Sequence, residues 1–244
     1  MTSFIQQDTF LFGSSDARTA LAQKECAKLL VISDSHGSAL VINTILRQFG
    51  ADCDALCFCG DGAQDVLTVF EEAAAQKHGL NRTHIPPVAA IVRGNGDTGT
   101  AWFCPDGGAS STDRTPVTEV HIPNELVLTV AQKRLLITHG HRYDVYYSSR
   151  LLYEAAEQQQ AEIVFFGHTH IANVQESAAV TLLNPGSCSR PRGGQPHTFA
   201  LVTIDGSKAG SSAIRYEYYQ ISGCGSSISF EPYAPRTGEF NLLW

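Results

Sequence analysis

The sequence predicts a single α/β domain built on two β-sheets, and three observations support this. Apolar runs at residues 29–33, 55–59 and 88–92 each have the composition of a strand buried on both faces. Each run ends in a turn rich in glycine and polar residues, and the segments after the first two have helical periodicity. After about residue 116 the pattern changes to short strands. The first hundred residues therefore indicate βαβ units with a parallel sheet, and the remainder a second sheet.

The elements of the first half follow from apolar spacing and from breaker residues. Apolar positions recur at helical spacing after the first strand, and Ser38 is a candidate N-cap. The predicted order is strand 29–33, helix 38–49 ended by Gly50, strand 55–59, helix 64–78 ended by Gly79, and strand 88–92. Residues 1–27 have weak periodicity, and no chemistry is assigned to them.

The second half begins with a long loop. Residues 98–116 are rich in Gly, Ser, Thr, Asp and Pro and lack a period, which is typical of a functional or disordered loop. The expected elements after it are strands 125–130 and 134–138, helix 146–159, strand 162–166, and short strands within 173–183, 198–205 and 213–221. We divide the chain into an N-terminal extension (1–28), one domain (29–221) and an extended C-terminal arm (222–244).

Composition excludes several function classes. The net charge of −7 argues against a nucleic-acid-binding surface, which is normally basic. The N-terminus lacks the pattern of a signal peptide, and no apolar run approaches the roughly 18 residues that span a membrane. Seven scattered cysteines without a C-x-x-C pair favour free buried thiols over a disulfide framework. We therefore expect a cytoplasmic protein, and the sequence leaves a homo-oligomer open.

Residues able to bind a metal follow five predicted strands. They are Asp34, His36, Asp61, Asn95, His139, His168 and His170. Each alone has an ordinary explanation as a turn or cap residue, but their joint occurrence at the ends of five strands is hard to attribute to chance. Open α/β sheets place ligands at the carboxyl ends of strands. If the extended conformation continues past the first strand, Asp34 and His36 project from one face.

The set of donor atoms indicates the kind of metal. Carboxylate, imidazole and amide donors suit Mn²⁺, Fe²⁺, Zn²⁺ or Ni²⁺. Seven ligands exceed what one tetrahedral site needs, and a bridging carboxylate would let them hold two ions roughly 3.5–4 Å apart. A structural zinc site is disfavoured because such sites use four ligands, usually with cysteines.

At this point the sequence resembles a known family. The motifs D-x-H, G-D, G-N, H-G-H and G-H-x-H occur in order, at residues 34–36, 60–61, 94–95, 139–141 and 167–170. Residues 184–187 (N-P-G-S) and the P-x-G-G at 191–194 extend the match. The chain is similar to calcineurin-like metallophosphoesterases, and particularly to the YfcE-like phosphodiesterase subgroup, over roughly residues 29–220.

The resemblance implies a fold and a ligand assignment. The fold is α/β with four layers, in which two mixed sheets pack as a sandwich flanked by α-helices. One metal is assigned to Asp34, His36 and His170, the other to Asn95, His139 and His168, and Asp61 bridges them. The implied enzyme is a metal-dependent phosphodiesterase or phosphatase with two divalent ions, Mn²⁺ first among them. A hydroxide bridging the ions would attack a small phosphorylated substrate.

Four further residues have roles that the sequence leaves open. His141 is the second histidine of H-G-H and is expected to contact a metal, to hold a metal ligand in place or to act on substrate, and Asp97 is expected to orient a ligand or a water. Arg190 and Arg192 are either solvated or bind a substrate phosphate. Many family members have a histidine where this chain has Gly96, and members of the subgroup commonly have cysteine.

The absence of this histidine bears both on the expected substrate preference and on the alternative function. A general acid typically contributes about 10²–10⁴-fold, so we expect diesters with good leaving groups to be hydrolysed fastest. The alternative function is a protein-interaction scaffold, because another branch with this fold serves mainly as one and also lacks the histidine. The complete set of seven ligands favours the enzyme.

Overall fold

Two β-sheets lie face to face between helical layers. We describe the protein from a computed structural model, in which residues 6–7, 11–76, 82–104 and 118–238 are described. Their helices are α1 (Ser15–Gln23), α2 (Ala39–Phe49), α3 (Ala63–Ala75) and α4 (Arg150–Gln158). Their strands are β1 (Gln6–Gln7), β2 (Leu11–Phe12), β3 (Cys26–Ile32), β4 (Ala55–Phe58), β5 (Val88–Ile91), β6 (Thr100–Phe103), β7 (Thr118–His121), β8 (Glu125–Val130), β9 (Lys133–Thr138), β10 (Ile163–Phe165), β11 (Ala172–Glu176), β12 (Thr181–Pro185), β13 (His197–Asp205), β14 (Ile214–Ser222), β15 (Ser229–Tyr233) and β16 (Arg236–Thr237).

Both sheets are mixed. The first has the order β1-β2-β5-β4-β3-β13-β14-β15, and the second has the order β16-β11-β12-β10-β9-β8. Strands β3, β4 and β5 run parallel, as do β9, β10 and β12. In each sheet the carboxyl ends of the parallel strands therefore meet at one edge, where the polar residues that follow them come together.

Side-chain alternation along β3 shows the four layers. Leu29 and Val31 are buried between the two sheets, in a cluster that also contains Phe165 of β10. Leu30 and Ile32 point the other way and pack in the cluster that contains the buried faces of α2 and α3. The outer face of the second sheet is covered by α4 in a third cluster. These layers confirm the predicted fold class of two mixed sheets packed as a sandwich flanked by helices.

The continuous apolar runs predicted strands well, with shifts at their ends. Strand β3 begins at Cys26, three residues before the predicted start, while β4 and β5 end one residue before the predicted ends. Ser38 occupies the N-cap position of α2, but its side chain makes no capping hydrogen bond, so that part of the prediction is wrong. The predicted end of the second helix at 78 and Gly79 lies outside the described residues.

Two segments of the second half differ from the prediction. The predicted loop 98–116 contains β6, which pairs with β7, while residues 105–117 lie outside the described residues. Ala101 and Phe103 are buried and Trp102 is exposed, an alternation too short to stand out from the polar sequence around it. The helix predicted over 146–159 begins only at Arg150, because hydrogen-bonded turns occupy the residues before it.

The outer segments of the chain add strands to both sheets. Strand β2 pairs with β5, and α1 is a helix that the sequence did not predict, since its only buried residue is Leu21. In the C-terminal arm, β15 pairs with β14 and β16 pairs with β11. The division at 28 and 221 stays a prediction.

Two predictions from composition can be compared with the structure. None of the helices in the described ranges is long and apolar enough to cross a bilayer. All seven cysteines are free. Four are buried as expected, but Cys26 and Cys224 are exposed and Cys104 is partly exposed. The prediction that the thiols are buried was therefore wrong for these three.

Candidate metal centre

Residues that follow β3, β4 and β10 bring four predicted ligands together. His170 Nε2 lies 3.2 Å from Asp34 Oδ1 and 3.2 Å from His36 Nε2. His36 Nε2 also lies 3.8 Å from Asp34 Oδ1 and 3.7 Å from Asp61 Oδ2. One donor atom from each of these four residues lies within 4.8 Å of all the others. This spacing is that of ligands around a single cation.

Of the other predicted ligands, His139 lies beside Asp61 and His168 lies beside His139, but neither histidine belongs to the group of four. His139 Nε2 is 3.5 Å from Asp61 Oδ2, and the rings of His139 and His168 are 5.0 Å apart between centroids. Asn95 is exposed, and the N–H of the next residue, Gly96, donates to Asp61 Oδ1 at 2.7 Å. Asp61 Oδ2 therefore lies between His36 and His139.

Two buried atoms test whether a metal fits here. Asp34 Oδ1 and His139 Nε2 are buried and have no hydrogen-bond partner among the described residues. An unpaired buried polar atom costs about 1–3 kcal/mol, so such atoms call for a ligand. The Nδ1 atoms of His139 and His170 lie 2.7 Å and 2.5 Å from the carbonyl oxygens of Cys59 and Arg190. Because a carbonyl only accepts, each Nδ1 donates its proton there, so Nε2 is the ring atom that faces the site, and a bound metal would replace any proton on it. The residues fit a divalent cation.

Backbone conformation sets the direction of these side chains. Asp34, His36 and Asp61 have φ of 55°, 42° and 55°, and His168 and His170 have φ of 68° and 60°. The interpretation that extended backbone aligns Asp34 with His36 is wrong, because left-handed turns after β3 aim both side chains. Such residues cost roughly 1–3 kcal/mol each and persist where the surroundings fix them, as at functional sites.

Comparison with known proteins places this constellation in a family. The sequence profile of the calcineurin-like phosphoesterase superfamily domain matches residues 28–207, more than half of the chain. The chain belongs to this superfamily. Its relatives include the "Probable metallophosphoesterase YsnB" of Bacillus subtilis, 28% identical over 181 residues, which are 74% of the chain and 86% of the relative. The "Phosphodiesterase YfcE" of Escherichia coli K12 is 28% identical over 187 residues, which are 73% of the chain and 88% of the relative.

Solved structures agree on the fold. A predicted phosphoesterase from Streptococcus pneumoniae has a TM-score of 0.54 at 21% identity, covering 86% of the chain and 99% of that protein. Vacuolar Protein Sorting 29 from Cryptosporidium parvum has a TM-score of 0.56 at 15% identity, and the match covers 86% of the chain and 100% of that protein. At these identities the likeness concerns the fold alone.

The superfamily's motif glycines are explained by close approaches at the centre. A Cβ on Gly94 would lie 2.0 Å from Asp61 Oδ1, and one on Gly167 would lie 2.0 Å from Ser33 Oγ and 2.7 Å from Asp34 Oδ2. Another on Gly60 would lie 2.8 Å from His139 Nδ1. Each glycine thus leaves room for the side chain of a ligand or its neighbour.

The N-P-G-S segment holds the ligand turns in place. Ser187 Oγ donates to the carbonyl of Asp34 at 2.7 Å, and Asn184 Nδ2 donates to the carbonyl of Gly167 at 2.8 Å. Ser33 Oγ donates to Asp34 Oδ2 at 2.6 Å, which leaves Oδ1 for a metal. This segment was identified by resemblance alone, and its hydrogen bonds supply the physical reason for its presence.

Electrostatics separate the protonation states of these groups. Burial alone would raise the pKa of Asp61, but His139 and the Gly96 N–H hold that pKa well below its usual range. Burial lowers the pKa of His168 to about 4, with the positive charge of His139 acting in the same direction. Burial also lowers the pKa of His36. At neutral pH the centre therefore presents an ionised Asp61 with neutral His36 and His168, the states that bind metal. Burial alone would lower the pKa of His139, but Asp61 and Asp34 raise it, so metal binding at His139 would release a proton.

Asp97 lies beneath the loop that carries Asp61. Its Oδ2 accepts from the N–H groups of Asp61 and Gly94 at 2.8 Å, and its Oδ1 accepts from Gly62 and Ala63 at 2.9 and 3.0 Å. These are contacts that position Asp61 and cap the N-terminus of α3. The catalytic role of Asp97 stays a prediction.

His141 lies on the side of the second group. Its ring centroid is 5.4 Å from that of His139 and 6.1 Å from that of His168, and its Nδ1 is buried without a hydrogen-bond partner in the described chain. Burial, followed by the charge of His139, lowers the pKa of His141, which makes the ring neutral at pH 7. Metal contact and a substrate role both stay predictions.

Two residues near the centre were missed by sequence reasoning. Tyr146 donates to the carbonyl of His168 at 2.8 Å and receives a hydrogen bond from Arg192, whose guanidinium also lies over the tyrosine ring. Asp65 accepts from Ser35 Oγ at 2.6 Å. Tyr146 had been placed in a helix, and Asp65 had the pattern of an acidic first-turn residue, so neither gave a distinguishing signal.

Proposed function

We propose that the chain is a dinuclear metal-dependent phosphodiesterase acting on a small phosphorylated substrate. The observation that carries this proposal is the convergence of ligand atoms from Asp34, His36, Asp61 and His170. Asp34 Oδ1 and the neighbouring His139 Nε2 are both buried and unpaired among the described residues. The names of the relatives, a phosphodiesterase and a probable metallophosphoesterase, support it.

The residues divide into two groups that share one carboxylate. Asp34, His36 and His170 would hold one ion, Asp61 would be shared, and the other ion would take Asn95, His139 and His168. When bound, the two cations, for which we propose Mn²⁺, would make a water acidic enough to act as nucleophile and offset phosphoryl charge. Asp61 stays ionised throughout the physiological range because its pKa is lowered.

Protonation of the leaving group is the weakest part of this site. Gly96 has no side chain to donate a proton, and His141, with its lowered pKa, is not a ready acid at pH 7. We infer that the leaving group departs mostly unprotonated, which favours substrates with acidic leaving groups such as aryl phosphates.

A substrate panel tests the proposal. Phosphomonoesters, linear diesters and cyclic nucleotides are assayed with and without Mn²⁺, using wild type, Asp61→Ala and the control Asp52→Ala. Asp52 is an exposed aspartate in the 3₁₀ turn that precedes β4, whereas Asp61 follows β4, so its removal controls for loss of an acidic residue. We expect Mn²⁺-dependent diester hydrolysis by wild type and Asp52→Ala, and at least a roughly 100-fold loss in Asp61→Ala.

The alternative is a scaffold that uses this fold for protein interaction. Protein shown to contain two metals that turns over no member of the panel would favour the scaffold. Equal activity in Asp61→Ala and wild type would show instead that any hydrolysis does not depend on this centre.

A further inference from the structure

A cavity of about 320 Å³ opens beside the candidate metal centre. Its lining consists of three glycines, three aspartates, His36 and Arg190. No aliphatic or phenyl side chain from the described ranges lines it, whereas most ligand pockets are predominantly apolar. Because His36 and Asp61 belong to this lining, a phosphate held at the centre would extend the rest of its molecule into the cavity. We call this space the glycine cavity.

The glycine cavity offers a hydrogen-bond acceptor rather than backbone donors. The N–H groups of its glycines are already used: Gly37 donates to Asp65, Gly62 donates to Asp97, and Gly96 donates to Asp61. A backbone nest for phosphate is therefore absent from this part of the described structure. Both oxygens of Asp97 are likewise used by backbone N–H groups, and Asp61 is assigned to the metals. Among the described residues of the lining, the carboxylate oxygen that remains is Asp65 Oδ1, since Oδ2 accepts from Ser35 and Gly37, and a carboxylate oxygen accepts a hydrogen bond from a hydroxyl group.

Arg190 is the one cationic side chain of this lining, apart from the titratable His36. Its guanidinium has no ion pair or hydrogen bond within the described part of the chain, unlike Arg192, which is bound to Tyr146. Its backbone is fixed to the centre, because its N–H donates to Ser187 Oγ at 2.7 Å and its carbonyl receives the hydrogen bond of His170. An unpaired guanidinium on a fixed backbone is suited to binding an anionic group.

We propose that the non-reacting part of the substrate is a small hydroxylated group with a second anion, of the class of sugar or polyol phosphates. A hydroxyl binds Asp65 Oδ1 in the glycine cavity and the second anion binds Arg190. This inference rests on the proposed function, since it assumes that the reacting phosphate lies at the metal centre. It disfavours an aromatic or nucleobase group inside the glycine cavity, where such a group would find no apolar surface, so the cavity holds the retained ester group of a diester and an aryl leaving group lies outside it.

Equilibrium binding tests this proposal without depending on turnover. Ribose 1,5-bisphosphate, ribose 5-phosphate and phenyl phosphate are titrated calorimetrically into Mn²⁺-loaded and metal-free protein. The proteins are wild type, Arg190→Gln and the control Arg215→Gln, an exposed arginine on β14. We expect wild type and Arg215→Gln to bind the bisphosphate roughly 10- to 100-fold more tightly than ribose 5-phosphate, and Arg190→Gln to lose that difference. Phenyl phosphate should bind no more tightly than ribose 5-phosphate.

Two results would overturn the inference. A bisphosphate preference that survives in Arg190→Gln would assign the second anion to another group, and tighter binding of phenyl phosphate would refute the polar cavity. Failure of the phosphodiesterase proposal is seen separately, as absence of hydrolysis in the substrate panel, and leaves these affinity ratios unchanged.

Discussion

Gly94 and Gly96 form a matched pair that tests whether the position of Asp61 controls the centre. Neither has a positive φ, so replacement by alanine adds a methyl group without left-handed strain. At Gly94 the new Cβ would lie 2.0 Å from Asp61 Oδ1 and 2.6 Å from its backbone nitrogen, where ordinary contact begins at 3.4 Å. The carboxylate would have to retreat by about 1.4 Å. At Gly96 the nearest atom is Asp61 Oδ1 at 3.1 Å, which a small adjustment relieves.

The two substitutions should therefore differ sharply. Overpacking of this kind costs about 1–3 kcal/mol of stability, and a displacement near 1 Å can cost roughly 100-fold in rate. We expect Gly94→Ala to lose that much stability in urea unfolding, to bind Mn²⁺ more weakly in calorimetry and to lose about 100-fold in kcat/KM. For Gly96→Ala, the free energy of unfolding should stay within about 1 kcal/mol of the wild-type value and kcat/KM within a few-fold of it. Equal effects from the two variants would refute the reasoning that Gly94 is required by its contact with Asp61.

Three further predictions follow from neighbouring contacts. Asp97→Ala removes the acceptor of four backbone N–H groups, so urea unfolding should show a loss of about 3–5 kcal/mol; a loss under 1 kcal/mol would mean that water replaces the carboxylate. Aryl diesters should be hydrolysed faster than alkyl diesters, and Gly96→His should reduce this difference in rate because the histidine can protonate the leaving group. An unchanged difference in rate would point to another proton donor. In metal-free protein, the pKa of His168 is about 4 against an ordinary 6.5, so the unfolded chain binds more protons between these values and stability falls as pH drops through them. In urea unfolding measured from pH 7 to 4, the free energy of unfolding of His168→Gln should fall less steeply with pH than that of wild type. An equally steep fall in the variant would contradict this role of His168.

The sequence predicted the layers better than the details of the site. Runs such as Leu29–Ile32 are buried on both faces, so composition alone marks them as strands. Helix α1 was missed because it buries only Leu21 and has little amphipathic signal, and β6 was missed because its alternation spans few residues. Both depend on tertiary contacts with the rest of the domain rather than on local pattern.

The predicted ligands were identified by position, while their geometry has a different cause. Asp34 and His36 converge through left-handed turns that no periodicity reveals. Asp97 lies two residues after Asn95 and was expected to orient a ligand or a water, and nothing in the sequence indicated that it would do so through the backbone N–H groups of Asp61 and its neighbours. The unpaired guanidinium of Arg190 is likewise a property of the folded chain, since Arg192 two residues later has a partner.

Anomalous diffraction from crystals of Mn²⁺-loaded protein tests the central claim most directly. We predict two peaks roughly 3.5–4 Å apart with Asp61 between them. Asp34, His36 and His170 should contact one ion, and Asn95, His139 and His168 the other. A single peak, or peaks away from Asp61, would contradict the dinuclear centre.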